Sequence, residues 1–249
     1  MLNHHIVHSH NVATIDWPKF FEKYNNGIVV LDFETTGFSP EKSRVIEVGA
    51  ARVIAGKVVE QYSKLCNPEC VVPEIITRIT GINTEMLKNK PPVGDVILEL
   101  QKFIGDYPIV AHNAEFEARF LSMEMKRLMD LQRFNAQEAS ISTNKFICTK
   151  ILARHLIPQL PNYKLATLKE HIKFVPEPGH QAHRALSDVQ TTVALWGYMH
   201  HAILQQLKCP GKPVVHTFNK VQAKHAAPLA VGQSTSSYVG RFMSRGKFM

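Results

Sequence analysis

Residues 27–38 read GIVVLDFETTGF. The apolar run Ile28–Leu31 passes into Asp32, Phe33 and Glu34 and breaks at Thr35, Thr36 and Gly37. A short unbroken run of branched apolar side chains reads as a strand covered on both faces. Two-residue alternation then points both carboxylates to one face of the strand end, roughly 6–7 Å apart along the backbone. Oxygen ligands so spaced suit a hard divalent cation. An acid pair at a strand end is more often simply solvated. Here the small Thr-Thr-Gly segment lets backbone and hydroxyl groups approach a ligand closely.

Working outward, Arg44–Ala55 and Lys57–Leu65 read as two strands joined by a turn at Gly56. Pro73 opens a short helix that Gly81 closes. Val93–Ile104 carries apolar residues at helical spacing, and Pro108–His112 is a short strand. A helix through Phe116, Phe120, Leu121 and Leu128 follows, then a strand at Phe146–Cys148. Helices are expected over Lys150–Leu156, Tyr163–His171 and Ala182–Ala202, and Trp17, Phe20 and Phe21 pack an N-terminal helix on the domain. The order predicts an α/β fold, with an antiparallel hairpin on an otherwise parallel sheet flanked by helices.

Two further segments carry chemistry. His112-Asn113-Ala-Glu-Phe-Glu117 leaves a strand end and enters a helix, with Glu117 in the first turn, where the helix dipole favours an anion. His183-Arg-Ala-Leu-Ser-Asp188 opens the last long helix. If that helix starts near Arg184, His183 lies in the preceding loop and overhangs the same cleft as Asp188. Histidine there suits proton abstraction near neutral pH. Each segment alone reads as surface or capping residues.

Together, D-x-E-T-T-G, H-N-A-x-F-acid and H-x-A-x-x-D, in this order at successive element ends, resemble the DEDDh (DnaQ-like) 3′–5′ exonuclease family of the ribonuclease-H-like fold. The likeness spans Gly27 to Ala202 and extends to RVIEVGA at 44–50, Ile79–Ile82, Ile147–Thr149 with Leu152–Arg154, and Tyr163–Leu165 with Leu168. The resemblance implies two Mg²⁺ or Mn²⁺ ions held by Asp32, Glu34, Glu117 and Asp188. Asp32 would bridge them, and His183 would be the general base. It places Thr35, Thr36, Gly37 and Phe38 at the 3′-terminal nucleotide, with His112 and Asn113 as further substrate-binding residues. The reaction implied is hydrolysis from the 3′ end of DNA, single-stranded or at duplex ends, in proofreading or repair. The alternatives are an exoribonuclease and a nucleic-acid-binding or polymerase-associated module with a weakened site. Two positions depart from the pattern. Glu117 stands where the family has aspartate, and a misplacement of about an ångström can cost 10²-fold. Thr80 stands where many relatives carry histidine.

Composition sets the remaining limits. The 249 residues are 45% hydrophobic and 20% charged, as expected of one domain with extensions. No run of about 18 apolar residues exists for a membrane span. Met1–His10 lacks the apolar core and cleavage site of a secretory signal. Four scattered cysteines suit a reducing compartment, so a cytoplasmic location is expected. The formal charge is +8, yet residues 203–249 hold seven Lys/Arg and no acid, which concentrates the excess in the tail. Such a tail can hold phosphate backbones or a replication partner. The expected division is a leader and short helix at 1–26, an exonuclease domain at 27–202 and a basic tail at 203–249. Cys66 and Cys70 lack a second pair for zinc, and His4, His5, His8 and His10 read as a lightly packed leader.

Overall fold

The computed structural model describes residues 15–131, 145–176 and 183–208. The histidine-rich leader and the chain beyond Lys208 therefore lie outside the described residues. The elements run α1 (Trp17–Tyr24), β1 (Ile28–Thr35), β2 (Val45–Ile54), β3 (Lys57–Leu65), α2 (Glu74–Thr80), α3 (Thr84–Leu87), α4 (Val93–Ile104), β4 (Ile109–Ala111), α5 (Ala114–Asp130), β5 (Phe146–Cys148), α6 (Thr149–Leu156), α7 (Leu165–His171) and α8 (Ala185–Lys208).

One five-stranded sheet holds the strands in the order β3-β2-β1-β4-β5. β1, β2 and β3 are antiparallel neighbours, whereas β4 and β5 run parallel to β1. The hairpin turns through Ala55 and Gly56, both at positive φ (50° and 73°), the backbone that matches strand twist in a two-residue turn. One sheet face packs Val29, Leu31 and Phe33 against α4 and α5. On the other, Ile28, Val30, Ala51 and Val53 meet α1, α6, α7 and α8. The sheet is thus covered on both sides, which accounts for the continuous apolar reading of β1. No described helix is long and apolar enough to cross a membrane.

Three boundaries differ from the sequence reading by two residues or more. α7 starts at Leu165 rather than Tyr163, because Asn162 Oδ1 accepts from Lys164 N and Thr167 Oγ1 and keeps Lys164 extended. α8 starts at Ala185, whose N–H is taken by the Glu47 carboxylate. It also continues to Lys208, past the boundary expected at residue 202. α1 belongs to the core: Phe21 stacks on His200 and tilts against Trp196 of α8.

Candidate active site

β1 delivers Asp32 and Glu34 to the sheet face that α8 crosses. In the ladder Asp32 lies opposite Gly49 and Glu34 opposite Glu47, and the register slips between Glu34 and Thr35. The slip turns the strand into the Thr35–Gly37 bend, where Thr35 Oγ1 donates to the Gly37 carbonyl at 2.6 Å. Thr36 and Arg44 exchange backbone and hydroxyl bonds that close the loop. Both threonines are buried, while Phe38 stands 82% exposed beside them.

The start of α8 is held in place from β2. Glu47 is buried and accepts two bonds from Arg184 Nε and one at 2.7 Å from its terminal NH₂, plus the Ala185 N–H at 3.0 Å. A carboxylate from another strand therefore caps the helix N-terminus, where backbone N–H groups are otherwise unsatisfied. Two residues on, Gly49 lets the helix come close. A Cβ there would lie 2.4 Å from the Ala185 carbonyl carbon, a backbone clash that cannot relax. His183, with φ of 57° in the left-handed region, reverses the chain just ahead of this contact.

The outcome is a cluster in which ligand atoms of Glu34, His183 and Asp188 lie within 4.8 Å of one another. Asp32 adjoins it. Burial raises its carboxyl well above the usual range, and the charges of Glu117, Asp188 and Glu34 push it further. Burial, with the Asp188 charge, raises Glu34 to about 8. Glu117 on α5 is 3% exposed, and burial raises it to about 8. Its Oε2 is buried and has no hydrogen-bond partner. Asp188 is raised mainly by burial, against the lowering pull of His183 and Lys169. Four carboxylates so crowded, one with an orphaned oxygen, form a set that oxygen-seeking divalent cations fit.

The segment at 112–113 is arranged differently. His112 Nε2 meets the Tyr163 carbonyl at 2.9 Å and Nδ1 meets Thr149 Oγ1 at 3.1 Å. The carbonyl fixes the proton on Nε2, so Thr149 donates to Nδ1. Both ring nitrogens are thus engaged inside the chain, and neither is left for the substrate contact expected of His112. The residue instead ties β4 to α6 and to the segment before α7. Asn113 is exposed and precedes α5. Thr80 is also internal, bonding to the Ile76 carbonyl and the Ile82 N–H at the end of α2. Cys66 is buried and donates to the Val45 carbonyl at 3.3 Å, while Cys70 is exposed. Sequence reading assigned no role to Glu47. Its only signal is an acid among the apolar residues of a central strand.

Fold and acids together define a ribonuclease-H-like domain. The sequence profile of the exonuclease family matches residues 29–196. The DNA polymerase III subunit epsilon of Aquifex aeolicus is 34% identical over 168 residues, covering 68% of this chain and 77% of that one. The PolC-type DNA polymerase III of Thermotoga maritima is 36% identical over 168 residues, 68% of this chain but 11% of that protein, so the chain spans about a tenth of such relatives. Among solved structures, exonuclease X in complex with 5′ overhanging duplex DNA is 29% identical, with a TM-score of 0.56 over 70% of this chain and 91% of that one. The nuclease domain of 3′hExo, a DEDDh family member bound to rAMP, shares the fold at a TM-score of 0.58 and 17% identity over 72% and 93%. The chain belongs to the exonuclease family, and its domain is homologous to the DnaQ-like 3′–5′ exonucleases of proofreading type, which depend on divalent metal.

Proposed function

We propose that this chain is a 3′–5′ exonuclease that hydrolyses phosphodiester bonds at the 3′ end of DNA in proofreading or repair, in the cytoplasm, through residues 27–202. The observation that carries the reading is the clustering of Asp32, Glu34, Glu117 and Asp188 under His183, with the Glu117 Oε2 atom orphaned and buried. The four acids Asp32, Glu34, Glu117 and Asp188 would hold two Mg²⁺ or Mn²⁺ ions. Bound divalent cations supply charge that favours an anionic nucleophile and stabilises the leaving 3′-oxygen. His183, exposed at the cleft mouth beside Asp188, removes a proton from the attacking water, a role typically worth about 10²–10⁴-fold. Asp188 and Glu34 lie beside that imidazole and orient it. The Thr35–Gly37 bend presents backbone groups to the terminal nucleotide, and the exposed Phe38 ring offers a face for a base or sugar. Before cations bind, the acid cluster repels phosphate, so cation and strand bind cooperatively.

The test uses the full chain with 3′- and 5′-labelled single strands of DNA and RNA, in Mg²⁺ or Mn²⁺ and then in EDTA. The expected result is stepwise shortening of the 5′-labelled strand, release of the 3′ label as mononucleotide, and silence in EDTA or in Asp32→Ala. Binding without product would instead establish a binding module. Release of the 5′ label as mononucleotide would reverse the polarity. Faster turnover of RNA than of DNA would make it an exoribonuclease, since carboxylates and metal do not read the 2′-hydroxyl.

A further inference from the structure

Charge is unevenly distributed within the exonuclease domain. From Thr149 to Lys173 the chain holds Lys150, Arg154, Lys164, Lys169 and Lys173 against the single acid Glu170. Setting aside this segment and the seven cations of residues 203–249 from totals of 29 and 21 leaves 17 basic residues against 20 acidic. The rest of the chain is therefore net acidic. Arg44, Arg52, Arg127 and Arg184 each meet a glutamate. No ion pair among the described residues engages any of the five cations between Thr149 and Lys173. On α6, Lys150 and Arg154 are like charges four residues apart, an arrangement that costs about 0.2–0.5 kcal/mol and that a line of anions would relieve.

Their position gives the charge a purpose. The Lys150 N–H bonds to the His112 carbonyl, so α6 begins at the C-terminal end of β4, beside the strand that carries Asp32 and Glu34. Arg154 lies 5.8 Å over the Tyr163 ring, and the Tyr163 carbonyl receives His112 Nε2. Lys164 is exposed next in the chain, and the Lys169 charge acts on Asp188. Lys150, Arg154 and Lys164 thus stand on the segments that clasp His112 at the end of β4, beside the acid-bearing strand.

We infer that the α6–α7 face holds the phosphodiester backbone of a single-stranded substrate as it leaves the acid cluster, with Lys150, Arg154 and Lys164 as its phosphate contacts. This rests on the exonuclease reading and assigns the substrate's non-reacting portion to a defined surface of the domain. Backbone contacts of this kind carry no sequence preference, and each adds about 0.7 to the salt exponent for a single strand.

The experiment compares the full chain with the variant Lys150→Gln/Arg154→Gln/Lys164→Gln at fixed Mn²⁺. Two substrates are used: long oligothymidylate, and the p-nitrophenyl ester of thymidine 5′-monophosphate, which has no upstream backbone. The expected result is a fall of about 2 in the slope of log kcat/KM against log salt for the long strand. Ester hydrolysis should be unchanged, and the charge-keeping variant Lys150→Arg/Arg154→Lys/Lys164→Arg should restore the slope. The residues 203–249 are present throughout, so their contribution cancels. An unchanged slope with intact ester hydrolysis overturns the surface and leaves the exonuclease reading standing. Parallel loss of ester hydrolysis in the triple variant also overturns it, because the cations would then support the site itself. Failure of the unaltered chain on both substrates overturns the exonuclease reading.

Discussion

Glu117 concentrates the chemistry of the site in one side chain. It is an acid where the family has aspartate, it is buried, and one of its oxygens has no hydrogen-bond partner among the described residues. If that oxygen serves a cation, Glu117→Ala lowers kcat by about 10²-fold or more, whereas Glu117→Asp stays within about tenfold of the parent. Release of 3′ label measures both, and an equally active alanine variant would remove Glu117 from the site. The raised carboxyls also dictate a pH response. Glu34 and Glu117 titrate near 8 in the fold against an ordinary 4.5. Between these values the folded chain keeps protons the unfolded chain has lost, so stability is full below 4.5 and falls as pH rises to 8. In EDTA the melting temperature is expected to drop from pH 5.5 to pH 8, and Mn²⁺ should reverse the drop, as thermal unfolding would show. The acids and His183 were legible in sequence because each sits in a short motif at an element end. Glu47 was not, because its partner Arg184 lies far along the chain and only folding brings them together.

Elements show how that hidden contact acts. α8 is positioned at its first residue, where Glu47 caps it and Gly49 admits it. Glu47→Gln removes the charge that satisfies Arg184, whose side chain is 34% exposed. The expected loss is about 1–3 kcal/mol in urea unfolding, with a fall in kcat that exceeds any change in KM, since Asp188 and His183 move with the helix. A neutral His112 joins β4 to α6 in the same structural sense. Burial holds it at about 4, against 6.5 when unfolded. Across that window the unfolded chain binds the extra proton, so this contribution is complete above 6.5 and lost as pH falls toward 4, at up to about 1.4 kcal/mol per pH unit. The difference in urea stability between the parent and His112→Asn is expected to shrink from pH 7 to pH 5. The β2–β3 hairpin and α4 were readable from alternation and helical spacing. α3 was not, since a four-residue helix capped by Asn83 is too short to show a period. The far end of α8 was missed because a change in composition is a poor guide to where a helix stops.

Among the described residues, one face of the sheet closes against α8. The α/β class and the hairpin on a parallel sheet followed from element order, but the strand order β3-β2-β1-β4-β5 depends on pairings that local sequence does not encode. Val189, Leu195, Trp196 and Met199 supply much of the apolar face that covers Ile28, Val30 and Val53. A chain ending at residue 176 is therefore expected to show no cooperative thermal transition by circular dichroism and to cleave nothing; a sharp transition would show that the sheet stands without its last helix. The same dependence sets an order in time. Asp32, Glu34 and Glu117 are made early, and Asp188 arrives on the last described helix with His183 just ahead of it. A growing chain on the ribosome, surrounded by RNA, holds three mutually repelling carboxylates and no completed cleft until the end of the domain has emerged. The order of the sequence therefore leaves the acid set incomplete until the start of α8 has been made.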